Sequence, residues 1–198
     1  MIIWINGAFG SGKTTTAFEL KRRLPNSFVY DPENFGYFIR RNAPESFSDG
    51  DFQDIPLWRE MNYKALRMIA EQYGGTIIVP MTLVNLAYYD EIIGNLLADG
   101  VDVRHFILYV GRDELRRRLK KRTAFFLGRD TFALSSIDRC VEAFDTKITD
   151  VKIHTKNLSV DEIVEQIATL CGLTLSPDRK SKLGKLIYRA KIMIKHMR

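Results

Sequence analysis

Eight residues near the start of the chain, Gly7-Ala8-Phe9-Gly10-Ser11-Gly12-Lys13-Thr14, combine glycines, a lysine and a hydroxyl at fixed spacing. The pattern is Gly, four residues, Gly-Lys-Thr, which is that of a P-loop. Gly7 permits a sharp exit from a strand. Gly10 and Gly12 let the backbone curl until successive N–H groups point inward at phosphate oxygens. Lys13 reaches the β- and γ-phosphates, and the Thr14 hydroxyl ligates Mg²⁺. Ala8, Phe9, Ser11 and Thr15 complete the stretch expected to line a nucleotide. The apolar run Ile2-Ile3-Trp4-Ile5 precedes it and a helical pattern follows, so the helix N-terminus adds its partial positive charge at the same place. A chance glycine-rich turn would not carry this whole context. The expectation is a bound nucleoside triphosphate with Mg²⁺.

Asp31 ends a second apolar run, Ser27-Phe28-Val29-Tyr30. Ligands of open parallel sheets sit beyond the carboxyl ends of the strands. Asp31 is therefore expected beside the P-loop, as a base for an attacking hydroxyl or as a carboxylate on the metal side; the plainer alternative is a turn former before Pro32. Glu33 is a second candidate. The next strand, Ile77 to Val79, ends in Pro80-Met81-Thr82 with no acid where P-loop NTPases use one. Thr82 offers only a hydroxyl. This argues against a GTPase or a motor-type ATPase and favours a small-molecule kinase. The basic stretch Arg112 to Arg122, followed by Gly128-Arg129-Asp130, reads as a lid over about 112–139. Arg118 and Arg122, four apart on one helix face, are expected to reach a transferring phosphoryl group, with Arg129 and Arg139 as further candidates; a solvated charged face is the alternative. The acceptor is expected over about 35–63, where Phe35, Phe52 and Trp58 with Arg40, Gln53 and Arg59 form a mixed aromatic and polar set.

These residues must be positioned by elements that the pattern also indicates. Apolar runs at 2–6, 27–30, 76–82, 103–110 and 151–155 read as strands. Helical spacing covers 13–24, 55–73, 85–99, 112–122, a stretch through Ile137, Cys140, Val141 and Phe144, and 160–170. Ser135 or Ser136 is expected to cap the 137–144 helix. Ser159 with Glu162 has capping-box spacing. Residues 35–52 read as short helical pieces and loops, and 123–134 as a mobile segment. Strands alternating with helices predict an α/β fold: a three-layer arrangement with a parallel five-stranded sheet and helices on both faces.

A chain of 198 residues suits one domain, expected over 1–176. The two cysteines, Cys140 and Cys171, fit no metal or redox spacing and read as free thiols. No signal peptide and no run long enough to span a bilayer are seen, so a cytoplasmic location is expected. The formal net charge is +6, yet 177–198 alone holds eight Lys/Arg and one Asp. There Leu183, Leu186, Ile187, Ala190, Ile194 and Met197 fall on one narrow stripe of a helix, with Lys182, Lys185, Arg189, Lys191 and Lys195 off it. Such a helix fits an anionic membrane surface at the inner face of the plasma membrane, or packing on the body with a solvated basic face. Nucleic acid is disfavoured, because no aromatic–basic groove accompanies it.

Taken together, IIWINGAFGSGKT at 2–14, VYDPE at 29–33, DFQ at 51–53, PLWR at 56–59, IIVPMT at 77–82, IDRCVE at 137–142 and TKNLS at 155–159 resemble the tunicamycin-resistance proteins of the TmrB type over nearly the full length. More loosely the chain is similar to small-molecule kinases such as chloramphenicol phosphotransferase and shikimate kinase. The resemblance implies an ATP-binding protein that confers resistance to a lipid-linked nucleoside antibiotic, with phosphorylation of the drug as the natural mechanism of such a fold. It also implies Asp31 as the base and Asn157, in the loop after the last strand, near the adenine. The rival expectation is a non-catalytic protein that binds ATP and sequesters the drug at the membrane.

Overall fold

The computed structural model describes residues 1–44, 50–126 and 131–196, with the side chains of 122–126 left aside. Five strands, β1 (Ile2–Asn6), β2 (Ser27–Val29), β3 (Thr76–Pro80), β4 (Val103–Tyr109) and β5 (Val151–His154), form one all-parallel sheet in the order β2-β3-β1-β4-β5. β1 is central, with Ile3 opposite Ile78 on one side and Arg104 on the other. Pro80 is the last residue of β3, where its missing N–H breaks no further ladder.

Every residue of β1 is buried, as a central parallel strand requires. Its side chains alternate between two layers. Ile2 and Trp4, with Ile77 and Val79, pack under α3 (Pro56–Gln72) through Trp58 and Leu66. The same layer holds Ile92, Ile93 and Leu96 from α4 (Leu86–Tyr89), a five-residue π stretch (Asp90–Gly94) and α5 (Asn95–Ala98), which together replace the single helix predicted over 85–99. Ile3 and Ile5, with Phe106, Leu108 and Ile153, pack under α1 (Lys13–Arg23) and α9 (Val160–Leu170). A third cluster gathers Ile107 with α6 (Arg112–Phe126), α7 (Thr131–Ser135) and α8 (Ile137–Thr146) at the P-loop end. α2 (Glu33–Asn42) follows β2. The three-layer α/β architecture is the predicted one.

Two local expectations differ. The segment 123–134 is not a loop throughout. α6 runs on to Phe126 because Thr123 to Phe126 contains no Gly or Pro, and α7 adds another turn; Gly128, Arg129 and Asp130 lie outside the described residues. Neither serine caps α8 with its side chain, since the Ser136 hydroxyl donates instead to the Phe132 carbonyl at 2.7 Å and Ser135 does the same at 3.0 Å. The capping box of α9 forms as predicted, with Glu162 N–H on Ser159 Oγ and Ser159 N–H on Glu162 Oε2.

α10 (Lys182–Lys195) packs on the body, but not with a solvated basic face. Its cations Lys185 and Arg189 turn inward. Arg189 pairs with Glu19 of α1 at 2.7 Å and Asp161 of α9 at 2.8 Å, and Lys185 pairs with Asp161 at 3.1 Å and Asp178 at 2.6 Å. Glu19 is fully buried and also holds Arg22 at 2.6 Å. Hydrogen bonds from Arg22 and Lys185 hold the Asp178 carboxyl well below its usual range. Burial works against Asp161, but hydrogen bonds from Lys185 and Arg189 outweigh it and its pKa is also lowered. The apolar stripe faces outward: Leu183 is 66% exposed, Leu186 65% and Ile194 60%. A helix seated by its charges has no apolar inner face to exchange for, and only Ile192 of α10 is buried. No helix among the described residues is long and apolar enough to cross a membrane.

Replacing Ser159 by Ala removes one half of the capping box and is expected to lower stability by about 1 kcal/mol, read as a shift in the urea midpoint at unchanged slope.

Candidate functional site

β1 ends on Asn6, fully buried, whose side chain ties two loops together. Asn6 Oδ1 accepts from Gly7 N at 2.8 Å and Leu83 N at 2.9 Å, and Nδ2 donates to the Leu83 carbonyl at 2.7 Å. The remaining side of the amide lies 3.1 Å from His105 Nε2 on β4, and His105 Nδ1 lies 3.0 Å from Asp150 Oδ2. The Asp150 carboxyl is held below its ordinary pKa, first by the hydrogen bond with His105, against some burial. Thr82, after β3, donates its hydroxyl to the Gly7 carbonyl at 2.9 Å, and Gln53 donates to the Thr82 carbonyl at 3.1 Å. The Thr82 hydroxyl is thus engaged in holding the loop entry.

The loop curls with positive φ at Gly7 (144°), Gly10 (82°) and Gly12 (102°). A Cβ on Gly7 would meet Ser11 Oγ at 2.6 Å and the Leu108 carbonyl at 2.8 Å, so no larger residue fits. A Cβ on Gly12 would meet nothing within 4 Å, so open space lies over the loop there. α1 starts directly after Gly12 with no side-chain cap, so its first-turn N–H groups (Lys13, Thr14, Thr15) point into that space. Ser11 Oγ and Thr16 Oγ1 are buried without a hydrogen-bond partner among the described residues. Lys13 Nζ folds back onto the carbonyls of Gly7 at 2.9 Å and Ala8 at 3.1 Å. An uncapped helix start, orphaned hydroxyls and the Lys13 ammonium form a cradle whose chemistry fits a phosphate chain. Ala8 and Phe9 carry the loop against the lid region: Phe9 meets the Phe132 ring edge-on at 5.6 Å, and Leu119 backs Gly10.

Asp31 stands at the mouth of a small cavity that Thr14, Phe18, Val29, Glu33, Pro80 and His196 also line. Thr14 and Asp31 are therefore brought together, as expected for a metal-side pair. Asp31 also forms the turn that the plainer reading foresaw, since its Oδ1 accepts from Glu33 N at 3.1 Å. Oδ2 points the other way, 3.7 Å from His196 Nδ1. Among the described residues no group of three or more His, Cys, Asp or Glu could hold a metal ion alone, so a hydroxyl–carboxylate pair supplemented by phosphate oxygens and water is what these residues fit, a donor set suited to Mg²⁺.

The expected acceptor residues hold this turn in place. Trp58 is fully buried and donates its indole N–H to the Pro32 carbonyl at 3.0 Å. Tyr30 donates to Asn62 of α3 at 2.9 Å, and burial raises its pKa. Phe52 stacks between Trp58, at 5.3 Å, and the bare Gly36. Phe35 packs on the same core. Arg59 is buried, bound to the Gln53 carbonyl and to Glu91, and Arg40 spans to the Gly50 carbonyl. The set forms a wall rather than an open pocket. A larger cleft of about 340 Å³ lies beside it, lined by Val84, Asn85, Leu86, Arg139, Glu142 and Lys147.

In the lid region, Arg118 donates to Glu114 at 2.8 Å and to the Thr155 carbonyl at 2.9 Å. It thereby faces the loop after β5 that carries exposed Asn157. Arg122 follows one turn later on α6, its side chain among those left aside, and Arg129 is outside the described residues. Arg139 lies 3.9 Å from Asp51. Asn6, His105 and His196 are residues that the pattern did not flag. Asn6 carried a signal, a lone amide closing an apolar strand immediately before Gly7. His196 carried none.

Fold, cradle and strand-end carboxylate define the chain as a P-loop nucleotide-binding protein of the small-kinase type. The AAA domain family matches residues 3–124. The tunicamycin resistance protein of Deinococcus radiodurans superposes at a TM-score of 0.74 with 30% identity, covering 89% of this chain and 99% of that one, and the chain belongs to the tunicamycin-resistance protein family. A sugar kinase from Janibacter sp. HTCC2649 (18% identity, TM-score 0.63, 87% of this chain and 95% of that one) shares the fold. So does shikimate kinase from Bacteroides thetaiotaomicron (20%, 0.57, 87% and 99%). No curated protein matches.

Gly7→Ala is expected to reduce nucleotide affinity by more than about tenfold, roughly 1.4 kcal/mol, because the loop must open to admit the methyl group. Binding of a fluorescent ATP analogue measures it, with Thr82→Val expected to give a smaller loss through the same carbonyl.

Proposed function

We propose that the protein is an ATP- and Mg²⁺-dependent small-molecule kinase whose acceptor is an amphiphilic, tunicamycin-like nucleoside. The observation that carries this reading is the meeting of Thr14 and Asp31 at one pocket beside the uncapped start of α1. Bound Mg-ATP would supply the phosphoryl group and a divalent charge, which the Thr14 hydroxyl would hold directly and the Asp31 carboxylate through a coordinated water. The N–H groups at the uncapped start of α1, Lys13 to Thr15, orient the phosphates. Lys13 exchanges its two carbonyl partners for phosphate oxygens. Asp31 Oδ1 is engaged by Glu33 N–H, so Oδ2 is the atom that accepts the acceptor hydroxyl's proton. Arg118 brings positive charge toward the site from the lid, Arg122 is assigned the same role by its position one turn on along α6, and Asn157 borders the base. The cleft between Leu86 and Lys147 has the volume of a small-molecule site, and with Arg40 and Arg59 stiffening the wall beside it we assign it to the acceptor.

The family relationship supports the drug class, since the relative from D. radiodurans is a tunicamycin resistance protein. The outward apolar stripe of α10, flanked by Lys182, Lys191 and Lys195, supports a peripheral seat on an anionic bilayer at the inner face of the plasma membrane, where a lipid-linked drug is met.

Incubation of protein, Mg-ATP and tunicamycin is expected to yield, by mass spectrometry, a drug heavier by one phosphoryl group. Asp31→Asn is expected to slow this at least about a hundredfold, the scale of a lost general base. Absence of the product, with drug binding that survives Asp31→Asn, would establish the sequestering role instead. Co-sedimentation with phosphatidylglycerol vesicles is expected for the native protein and lost in Leu186→Glu/Ile187→Glu; equal sedimentation of both removes the membrane seat.

A further inference from the structure

The inner face of α10 ends at the candidate active site. His196, the residue after α10, lies with its ring against Phe18 (centroids 4.6 Å apart) and its Nδ1 3.7 Å from Asp31 Oδ2. Phe18 is four residues after Thr14 on α1, so the ring that carries His196 is on the same helix face as the candidate metal ligand. Thr14, Asp31, Glu33 and His196 line one cavity of about 40 Å³. The height and rotation of α10 are fixed from the body. Arg189 is clasped by Glu19 and Asp161, Lys185 by Asp161 and Asp178, and the Tyr188 hydroxyl donates to the Phe18 carbonyl at 3.2 Å.

The cavity under the seated His196 has room for roughly three water-sized groups. Mg²⁺ with its octahedral oxygen shell, phosphate oxygens and an acceptor hydroxyl must all gather at Asp31, and on the Oδ2 side. The imidazole stands in that approach. The cations that seat α10 are also those an anionic surface would attract, and the stripe left outside is the one a bilayer would take up.

We propose that α10 is a clasp on the active site: seated, it sets His196 against Asp31 and closes the pocket; an anionic phospholipid surface releases it by drawing Lys185 and Arg189 away from Glu19, Asp161 and Asp178. The use of the pocket rests on the kinase reading and the release on the membrane seat, whereas the clasp itself rests on the contacts above.

Histidine reactivity tests it in the intact chain, by diethyl pyrocarbonate modification followed with peptide mass spectrometry. Exposed His154 and buried His105 serve as internal references. His196 is expected to react several-fold more slowly than His154 in lipid-free protein, and to approach the His154 rate with phosphatidylglycerol–phosphatidylcholine vesicles. Arg189→Met is expected to give the fast rate without vesicles; Lys185→Met, which leaves Glu19 its two arginines, is the second variant. Equal rates for His196 and His154 in the lipid-free native protein overturn the clasp, as does a His196 rate that neither variant nor vesicles accelerate. In Mg-ATP turnover, His196→Ala is expected to exceed the native protein about tenfold without vesicles, as for a pocket closed nine-tenths of the time, and to equal it with them. An unchanged or lower turnover overturns the gating. Failure of the kinase reading looks different: no nucleotide-dependent product from any variant, with the histidine reactivities still deciding the clasp.

Discussion

The polar end of a buried strand is the constraint on which the site depends. β1 is apolar to Ile5 and must then release the chain into the glycine-rich loop that leads to α1. Asn6 resolves this by hydrogen-bonding to Gly7 on one side and both backbone groups of Leu83 on the other. A buried amide is tolerable only when its bonds are made, and here each one also serves as a geometric tie. His105 and Asp150 fix the amide from the neighbouring strand, and Thr82 fixes the Gly7 carbonyl. The cradle can stay open over Gly12 because its foot is held so firmly.

The second half of the site is held by aromatic packing. Asp31 sits on a three-residue turn between β2 and α2 whose position is set by side chains from α3 and the segment before it. Trp58 grips the Pro32 carbonyl, Tyr30 reaches Asn62, and Phe52 fills the space that Gly36 leaves. Residues that look like a ligand pocket by composition therefore act as the wall that keeps a carboxylate beside Thr14.

This explains what was legible in the sequence. The sheet, its order of helices and the phosphate cradle could be read because each is encoded locally, in apolar runs, helical spacing and a contiguous motif. Asp31 was legible because strand ends and ligand sites coincide in parallel sheets. The functions of Trp58, Arg59 and Gln53 were not, since whether an aromatic or polar side chain faces a ligand or a carbonyl depends on contacts from distant parts of the chain. α10 misled for a related reason. Its stripe gives a correct helix, but which face meets the body was decided by Glu19, Asp161 and Asp178, acids scattered over 160 positions whose convergence no local pattern shows. The helical continuation of α6 to Phe126 lacked a positive signal; only the absence of a breaker marked it.

The strand order has a consequence for biosynthesis. β1 is made first yet lies in the middle, and its two ladder partners, Thr76–Pro80 and Val103–Tyr109, leave the ribosome much later. Until about half the chain exists, Ile2-Ile3-Trp4-Ile5 has no sheet to join, and it is a short, uncharged, β-prone segment of the kind that pairs with other chains. Newly made protein thus passes through an interval, set by topology and elongation rate, in which that segment has no native partner while β4 is still being translated.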